Sequence, residues 1–220
     1  MESVTFTTSD GVRLEGEVRL PDGAIRATAA ICHPHPRFGG SKDHPILWAL
    51  RNELAGRRGV ATLGFNFRGV MGSGGTYGGG HGELQDARAA IDTIRERAPD
   101  APTVTCGWSF GASVALREAL DDPRVRALVL LGVPLTPSDL SLPALPDRSV
   151  LRTFRRPALF LAGAADPYCP ADELRTFASG LPASEVAVLD GTDHFLWRRE
   201  REAAEIAGAF VARVLEGDAP

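Results

Sequence analysis

The sequence contains few cysteines and no long apolar run. Its cysteines, Cys32, Cys106 and Cys169, are three in number and lack C-x-x-C spacing, which favours buried thiols over a disulfide framework or a zinc site. The longest unbroken apolar stretches, such as residues 158–165, have about eight residues, whereas a membrane-spanning helix needs roughly 20. These absences exclude a disulfide-stabilised small domain and argue against a segment that spans a membrane.

An excess of basic residues is also absent. The chain has 24 basic and 28 acidic residues, for a formal net charge of −4 at pH 7, and the basic residues are scattered along it. This pattern shows no electrostatic footprint for nucleic acid. The first residues contain neither the basic nor the apolar segment of a secretion signal. We therefore expect a cytoplasmic protein whose partner is a small molecule, without nucleic-acid binding or a membrane span.

The 220 residues have the composition of an ordinary globular domain. Apolar residues make up 44% and charged residues 24%, so the chain can bury a substantial core without disulfides or metal ions. No internal repeat, linker or low-complexity tract divides the sequence. We predict a single domain over residues 1–220.

The predicted strands are of two kinds. Residues 4–8 and 12–20 alternate apolar and polar side chains on the two sides of Asp10-Gly11, which predicts an antiparallel hairpin. Later apolar residues form short unbroken runs instead, and such runs are typical of parallel strands that are covered on both faces. These runs are residues 27–32, 60–65, 103–107, 127–132 and 158–163, and a last strand is predicted at residues 185–189.

Segments with apolar spacing of three and four separate the predicted strands or follow them. Strands that alternate with helices predict a mostly parallel α/β sheet with helices on both faces. Ligands in such folds bind beyond the carboxyl ends of the strands, so functional residues are expected in the loops that follow the apolar runs. The predicted helices are residues 46–57, 83–97, 109–120, 171–180 and 195–215.

The segment Gly-Trp-Ser-Phe-Gly at residues 107–111 matches the G-x-S-x-G pattern between a predicted strand and a predicted helix. In that setting the pattern indicates a nucleophile elbow, a tight turn that lifts Ser109 above the sheet, with small residues allowing strand and helix to approach. The start of the helix favours negative charge on a substrate, and the Phe110 N–H is one expected oxyanion donor. The alternative is that Ser109 only caps the helix.

A serine hydroxyl becomes a good nucleophile only when a general base accepts its proton. The chain has five histidines, and His194 follows the last predicted strand. A G-x-S-x-G elbow goes with the chain order Ser, acid, His, which places the base at this position. His81 is the alternative base. Asp166 comes at the end of a predicted strand that lies between Ser109 and His194 in the sequence, and it is expected to orient His194. Asp190 and Asp193 are rival acids, but their closeness to His194 in sequence favours turn or capping roles.

The segment His-Pro-His-Pro at residues 33–36 follows a predicted strand, at the position that supplies the second oxyanion donor in this architecture. Because proline has no N–H, His35 is the nearest backbone donor, and Arg37 or Phe38 takes this role if the turn is displaced. A metal site formed by His33, His35 and His81 is an alternative. We expect no metal, because no carboxylate or cysteine cluster recurs at matching spacing.

Four parts of the sequence together resemble the small, lidless α/β-hydrolase superfamily proteins related to dienelactone hydrolases. They are Cys-His-Pro-His-Pro-Arg-Phe-Gly-Gly at 32–40, Phe-Asn-Phe-Arg-Gly-Val at 65–70, Gly-Trp-Ser-Phe-Gly at 107–111, and the loops of Asp166 and His194. The similarity extends over almost the whole chain, in the right order. It implies an α/β-hydrolase fold with a minimal lid.

The resemblance also implies roles for individual residues. Ser109, Asp166 and His194 match the nucleophile, acid and base, and Arg68 matches an arginine that braces the loops beneath the site. Two features depart from the relatives. The nucleophile position holds serine, whereas dienelactone hydrolases proper have cysteine, and Met71 interrupts the glycines that usually follow Arg-Gly-Val.

These observations predict a serine hydrolase without a cofactor, a carboxylesterase that acts on small or short-acyl esters through an acyl-enzyme intermediate. Thioesterase and amidase activities use the same residues, and a non-catalytic ligand-binding scaffold is the rival from a different class. Residues 133–157 at the usual lid position are too few for a covering domain, which favours small substrates. The substrate pocket is expected among apolar residues beside the motifs, namely Phe38, Met71, Trp108, Leu135 and Tyr168.

Overall fold

A single mixed sheet of eight strands organises residues 1–136, 142 and 144–217, the part of the chain that the computed structural model describes. The spatial order of the strands is β1-β2-β4-β3-β5-β6-β7-β8. β1, β2 and β4 pair antiparallel, and the pairs from β4 to β8 are parallel. The strands are β1 Glu2–Thr7, β2 Arg13–Arg19, β3 Ala27–Cys32, β4 Val60–Phe65, β5 Thr103–Trp108, β6 Val125–Leu131, β7 Ala158–Gly163 and β8 Ser184–Leu189.

Helices cover both faces of the sheet. α1 and α6 pack against each other on one face, and α2, α3 and α5 lie on the other. β3 to β7 are buried on both sides, apart from the exposed Arg126 of β6, because each lies between two helical layers, as the apolar runs predict. The helices are α1 Pro45–Arg58, α2 His81–Arg95, α3 Phe110–Asp121, α4 Arg148–Leu151, α5 Ala171–Ala178 and α6 Glu200–Glu216.

The predicted architecture, a mostly parallel sheet with an N-terminal antiparallel hairpin and helices on both faces, is confirmed. The hairpin turns at Gly11, whose φ of +84° suits glycine, and the Thr8 N–H donates to the Val12 carbonyl at 2.9 Å. β6 and β7 are joined by a segment that contains the four-residue α4. Residues 137–141 and 143 of the predicted minimal lid lie outside the described residues. No helix within the described ranges is long and apolar enough to cross a membrane.

The prediction that the last helix begins at residue 195 is wrong, because α6 begins at Glu200. Leu196 and Arg198 have φ values of 54° and 64°, in the left-handed region that a right-handed helix cannot include. Leu196 is buried, whereas Phe195 and Trp197 on either side of it are exposed. The apolar residues near position 195 therefore belong to a tight loop ahead of the helix rather than to its core-facing stripe.

Glu118 of α3 is a buried carboxyl whose ionisation opposes folding. Burial raises its pKa to about 7, although the Arg88 side chain donates a hydrogen bond to Oε1 at 3.1 Å. Oε2 has no hydrogen-bond partner among the described residues. The folded-state pKa lies above the ordinary value of 4.5. The ionised carboxyl therefore lowers the free energy of unfolding by its full amount above about pH 7, and this loss disappears below about pH 4.5.

We therefore expect Glu118→Gln to increase the free energy of unfolding at pH 8 by about 1–3 kcal/mol, after allowance for the exposed Arg88 partner. The difference from the wild type should shrink steadily as the pH falls to about 5. Thermal and urea unfolding of both proteins between pH 5 and 8 measures it. A variant that is less stable than the wild type at pH 8, or a difference that does not depend on pH, would contradict this assignment.

Candidate active site

Ser109 occupies a strained turn between β5 and α3. Its φ of 56° and ψ of −121° lie outside the regions that L-residues ordinarily adopt. The flanking glycines are required by close approach, because a Cβ on Gly107 would lie 2.2 Å from the Gly111 carbonyl oxygen and one on Gly111 would lie 2.3 Å from that of Cys32. The Ser109 side chain makes no capping hydrogen bond to α3. The geometry is that of the predicted elbow and not that of a simple helix cap.

The structure brings Ser109, His194 and Asp166 into one hydrogen-bonded chain. Ser109 Oγ lies 2.9 Å from His194 Nε2, and His194 Nδ1 lies 2.8 Å from Asp166 Oδ2. Ser109 follows β5, Asp166 follows β7 and His194 follows β8, all at the carboxyl edge of the sheet. Functional loops of parallel sheets lie at this edge. Asp166 and His194 are almost fully buried, so the interactions between them are little screened by water.

Backbone hydrogen bonds hold Asp166 and His194 in place. Asp166 Oδ1 accepts from the N–H groups of Tyr168 and Cys169 at 2.9 and 3.0 Å, which leaves Oδ2 to accept from the imidazole. The indole N–H of Trp108, the residue before Ser109, donates to the His194 carbonyl at 3.1 Å. The orientation of His194 is therefore fixed by Asp166 on one loop and by Trp108 beside Ser109 on another.

The hydrogen bonds that the two rival acids accept lie within their own loop. Asp193 Oδ1 accepts a hydrogen bond from the Phe195 N–H at 3.0 Å, which is a turn contact within the loop. The Asp190 carbonyl accepts from Arg199 at 3.2 Å. The interaction with the imidazole of His194 comes from Asp166.

The other predicted histidines lie apart from the Ser109 hydroxyl or are engaged elsewhere. His81 is exposed at the start of α2. His33 is buried, with Nδ1 donating to the Pro34 carbonyl at 2.6 Å and Nε2 accepting from the Phe67 N–H at 3.0 Å, and burial lowers its pKa to about 4. Both nitrogens of His33 are thus engaged, Nδ1 within its own loop and Nε2 with the loop that follows β4. Among the described residues, no three His, Cys, Asp or Glu side chains are grouped to hold a metal ion.

The two predicted oxyanion donors lie on segments that meet at the elbow. The hydrogen bonds of α3 begin with the Ala112 N–H, which donates to the Ser109 carbonyl at 2.9 Å. The Phe110 N–H lies before this first bond and is therefore not used within the helix. His35 lines the same cavity as Ser109, and its ring centroid lies 5.1 Å from that of Phe110. The Arg37 N–H donates to Nδ1 of His35, and the Tyr77 hydroxyl lies 3.2 Å from Nε2.

Arg68 joins three segments beneath the site. Its guanidinium contacts Asp86 of α2 at 2.7 Å and Asp10 of the hairpin turn at 2.8 Å. The hydrogen bonds from Arg68 and Thr8 hold the pKa of Asp10 at about 2, well below its usual value. This geometry agrees with the bracing role that the resemblance implies.

A cavity of about 540 Å³ opens above Ser109. The predicted pocket residues Phe38, Trp108 and Tyr168 line it. Residues that sequence reasoning missed also line it, notably His44 and Phe195. Phe195 follows His194 directly in sequence, but the sequence pattern places it in the last helix and so gives no sign that it lines the cavity. His44 carries no comparable signal, because it reaches the cavity only through the packing of α1 against the sheet.

Two predicted pocket residues, Met71 and Leu135, do not line the cavity. Met71 is 76% exposed on a loop that is tied to the hairpin, where Gly72 N–H donates to Glu15 Oε1 at 2.9 Å. Leu135 packs against the core cluster that includes α3, while its N–H donates to the Tyr168 carbonyl at 2.8 Å. Proximity in sequence to a site residue did not determine the side-chain direction in either case.

Comparisons with known proteins place the geometry among related folds. A family model described as an alpha/beta hydrolase domain matches residues 37–214. The protein of unknown function ATU1826 from Agrobacterium tumefaciens is 28% identical, with a TM-score of 0.83 over 100% of this chain and 99% of that one.

Two further solved structures are similar. An alpha-beta serine hydrolase homologue from Coxiella burnetii is 27% identical, with a TM-score of 0.82 over 94% of this chain and 96% of that one. XC6422 from Xanthomonas campestris, an α/β serine hydrolase without a lid, is 25% identical, with a TM-score of 0.79 over 100% and 95%. These similarities support hydrolase activity.

Proposed function

The chain belongs to the alpha/beta hydrolase domain family, and on that premise we propose that it is a serine carboxylesterase for small or short-acyl esters. The observation that carries the proposal is the hydrogen-bonded chain from Ser109 Oγ through His194 to Asp166, at 2.9 and 2.8 Å, at the base of an accessible cavity. A ligand-binding scaffold has no need of a strained nucleophile turn together with a buried base and acid.

Acylation follows from the positions of these atoms. Ser109 Oγ attacks the ester carbonyl carbon while His194 Nε2 takes the hydroxyl proton. Asp166 accepts the hydrogen bond from Nδ1–H, which keeps Nε2 available as the base and stabilises the imidazolium that forms. The negative charge moves to the carbonyl oxygen, and the N–H groups of Phe110 and His35 are the proposed donors to it.

The intermediate then loses the alcohol, whose oxygen takes the proton from His194. In the second half of the reaction His194 accepts a proton from water, and the resulting hydroxide attacks the acyl group on Ser109. Release of the carboxylic acid regenerates the free serine. Every proton passes through His194, and no step needs a metal or a cofactor.

Esters, thioesters and amides are discriminated by the pocket and the leaving group, because one set of residues performs all three hydrolyses. p-Nitrophenyl acetate, S-phenyl thioacetate and p-nitroacetanilide share an acetyl group and test the proposal side by side. We expect the oxygen ester to give the highest kcat/KM after correction for its rate of hydrolysis by hydroxide. A higher corrected value for the thioester or the anilide would reassign the activity within the hydrolases.

Chain length provides a prediction from the dimensions of the site. A cavity of about 540 Å³ lies in the middle of the range that suits small ligands, so the end of a long acyl chain extends beyond it, and ordering that chain costs entropy without a compensating contact. We expect kcat/KM for p-nitrophenyl esters to fall by at least about tenfold between butyrate and palmitate. Initial rates over the series from acetate to palmitate, below and above the concentration at which the esters aggregate, measure this.

Triton micelles without enzyme and the Ser109→Ala protein serve as blanks for the long esters. A preference for palmitate, or a jump in rate when an ester–water interface forms, would overturn the short-acyl assignment and leave the serine mechanism untouched.

A further inference from the structure

The cavity above Ser109 is walled largely by rings. Phe38 is 64% exposed, Phe195 43% and Tyr168 37%, and all three line the cavity. Exposed aromatic side chains that surround a concave site are informative, because single exposed apolar residues are ordinarily scattered over a surface. Besides His194, the rings that line the cavity are His35, Phe38, His44, Trp108, Tyr168 and Phe195.

Three of these rings lie beside His194, of which Trp108 is buried and Tyr168 and Phe195 are exposed. The Tyr168 ring centroid lies 5.0 Å from that of His194, and the Phe195 centroid lies 5.8 Å from it. In the proposed reaction His194 Nε2 must reach the oxygen of the departing alcohol to return the proton. The group attached to that oxygen therefore begins beside His194, within reach of Tyr168 and Phe195.

The backbone is strained where it presents Phe195. Leu196 and Arg198 both have left-handed φ values, and Leu196 is 1% exposed, so it anchors the loop in the core while Phe195 remains at the surface. Trp197 stacks on Phe195, with ring centroids 6.1 Å apart. Strained residues persist only where the surrounding structure holds them, and they concentrate at ligand sites.

The described residues of the cavity offer no ionic partner. Among the described residues that line it, none is Asp, Glu, Lys or Arg. The parts of the sequence outside the described ranges contain no Lys or Arg. Burial lowers the pKa of His44, which favours the neutral form of that ring. A charged group enclosed here would lose hydration without gaining a counter-ion.

We propose that the substrate is an uncharged ester whose alcohol part carries an aromatic ring, and that this ring packs against Phe195 and Tyr168. The proposal rests on the serine esterase activity and adds its leaving-group class. Edge-to-face and offset contacts between rings favour an aromatic group over a saturated ring of equal size. The acyl part lies on the other side of the reacting carbon and has no part in this contact.

Benzyl acetate and cyclohexylmethyl acetate test the ring contact, because their alcohols have similar acidity and size. After division by the rate of hydrolysis by hydroxide, we expect kcat/KM for benzyl acetate to be about threefold to tenfold higher. Phe195→Leu, which retains an apolar side chain without a ring, should bring the ratio close to one. Trp48→Leu removes another exposed aromatic residue, which lies outside this cavity, and should leave the ratio unchanged.

The proposal that the substrate is uncharged is tested with benzyl methyl succinate and monobenzyl succinate, which differ by one carboxylate near the reacting carbonyl. We expect the carboxylate to lower kcat/KM by about tenfold to hundredfold. Equal rates for the two succinates would overturn the inference that the substrate is uncharged.

The outcomes separate this proposal from the esterase assignment. Turnover with a benzyl to cyclohexylmethyl ratio of one, or a ratio that survives Phe195→Leu, overturns the aromatic leaving group and retains the esterase. Absence of all ester turnover overturns the esterase. In that case tryptophan fluorescence titration of the Ser109→Ala protein with the two acetates still decides the ring contact, since equal affinities contradict it and tighter benzyl acetate binding supports it.

Discussion

Replacing Ser109 by alanine is expected to lower kcat/KM for p-nitrophenyl acetate by about 10⁴- to 10⁶-fold. The variant loses the oxygen that forms the covalent bond, and His194 is left with no hydroxyl to deprotonate. The fold should be unchanged, since Ser109 Oγ contacts His194 and makes no capping hydrogen bond. Initial rates at substrate concentrations well below KM, with circular dichroism as the folding control, measure the effect.

Ser113 provides a matched control on the same helix. Its hydroxyl is buried and has no hydrogen-bond partner within the described part of the chain. Removal of an unpaired buried hydroxyl costs little or stabilises a protein. We therefore expect Ser113→Ala to retain the activity of the wild type. Activity that survives Ser109→Ala, or that is lost equally in both variants, would contradict the assignment of the nucleophile.

Replacing His194 by alanine is the second change with a very large expected effect, about 10⁴- to 10⁶-fold in kcat. The Ser109 hydroxyl would keep its position but lose the group that accepts its proton and later returns it to the leaving alcohol. Residues that act as one unit give losses that do not add, so the double variant with Ser109→Ala should be no worse than the single variants. Single-turnover kinetics with p-nitrophenyl acetate separates this chemical step from product release.

His81 was the alternative base from the sequence, and His81→Ala is the control for His194→Ala. His81 is exposed at the start of α2, so its removal should change kcat by less than about twofold. A large loss in His81→Ala together with retained turnover in His194→Ala would transfer the role of base to His81.

Much of this arrangement was predictable because the relevant signals are local. The apolar runs at residues 27–32, 60–65 and 158–163 coincide with β3, β4 and β7, since strands between two helical layers have no polar face to interrupt the run. Ser109 was predictable because its turn requires glycines on both sides. His194 and Asp166 followed from the order of strands and loops, which fixes the edge of the sheet where they meet.

The directions of the pocket side chains were not predictable in the same way. Met71 is exposed outside the cavity on a loop that is tied to the hairpin, and Leu135 packs against the core. Both outcomes depend on long-range packing. His44 lines the cavity through the placement of α1. The apolar stripe of the last helix was extended too far because periodicity gives no sign of the left-handed residues Leu196 and Arg198.

Covalent labelling tests the central claim most directly. The wild type, Ser109→Ala and Ser113→Ala are treated with a fluorophosphonate, which reacts with an activated serine, and intact-mass and peptide mass spectrometry locate the adduct. We expect one adduct per chain, on the peptide that contains Ser109, in the wild type and in Ser113→Ala, and none in Ser109→Ala. Equal labelling of all three proteins, or an adduct on another residue of the wild type, would contradict a serine hydrolase built on Ser109.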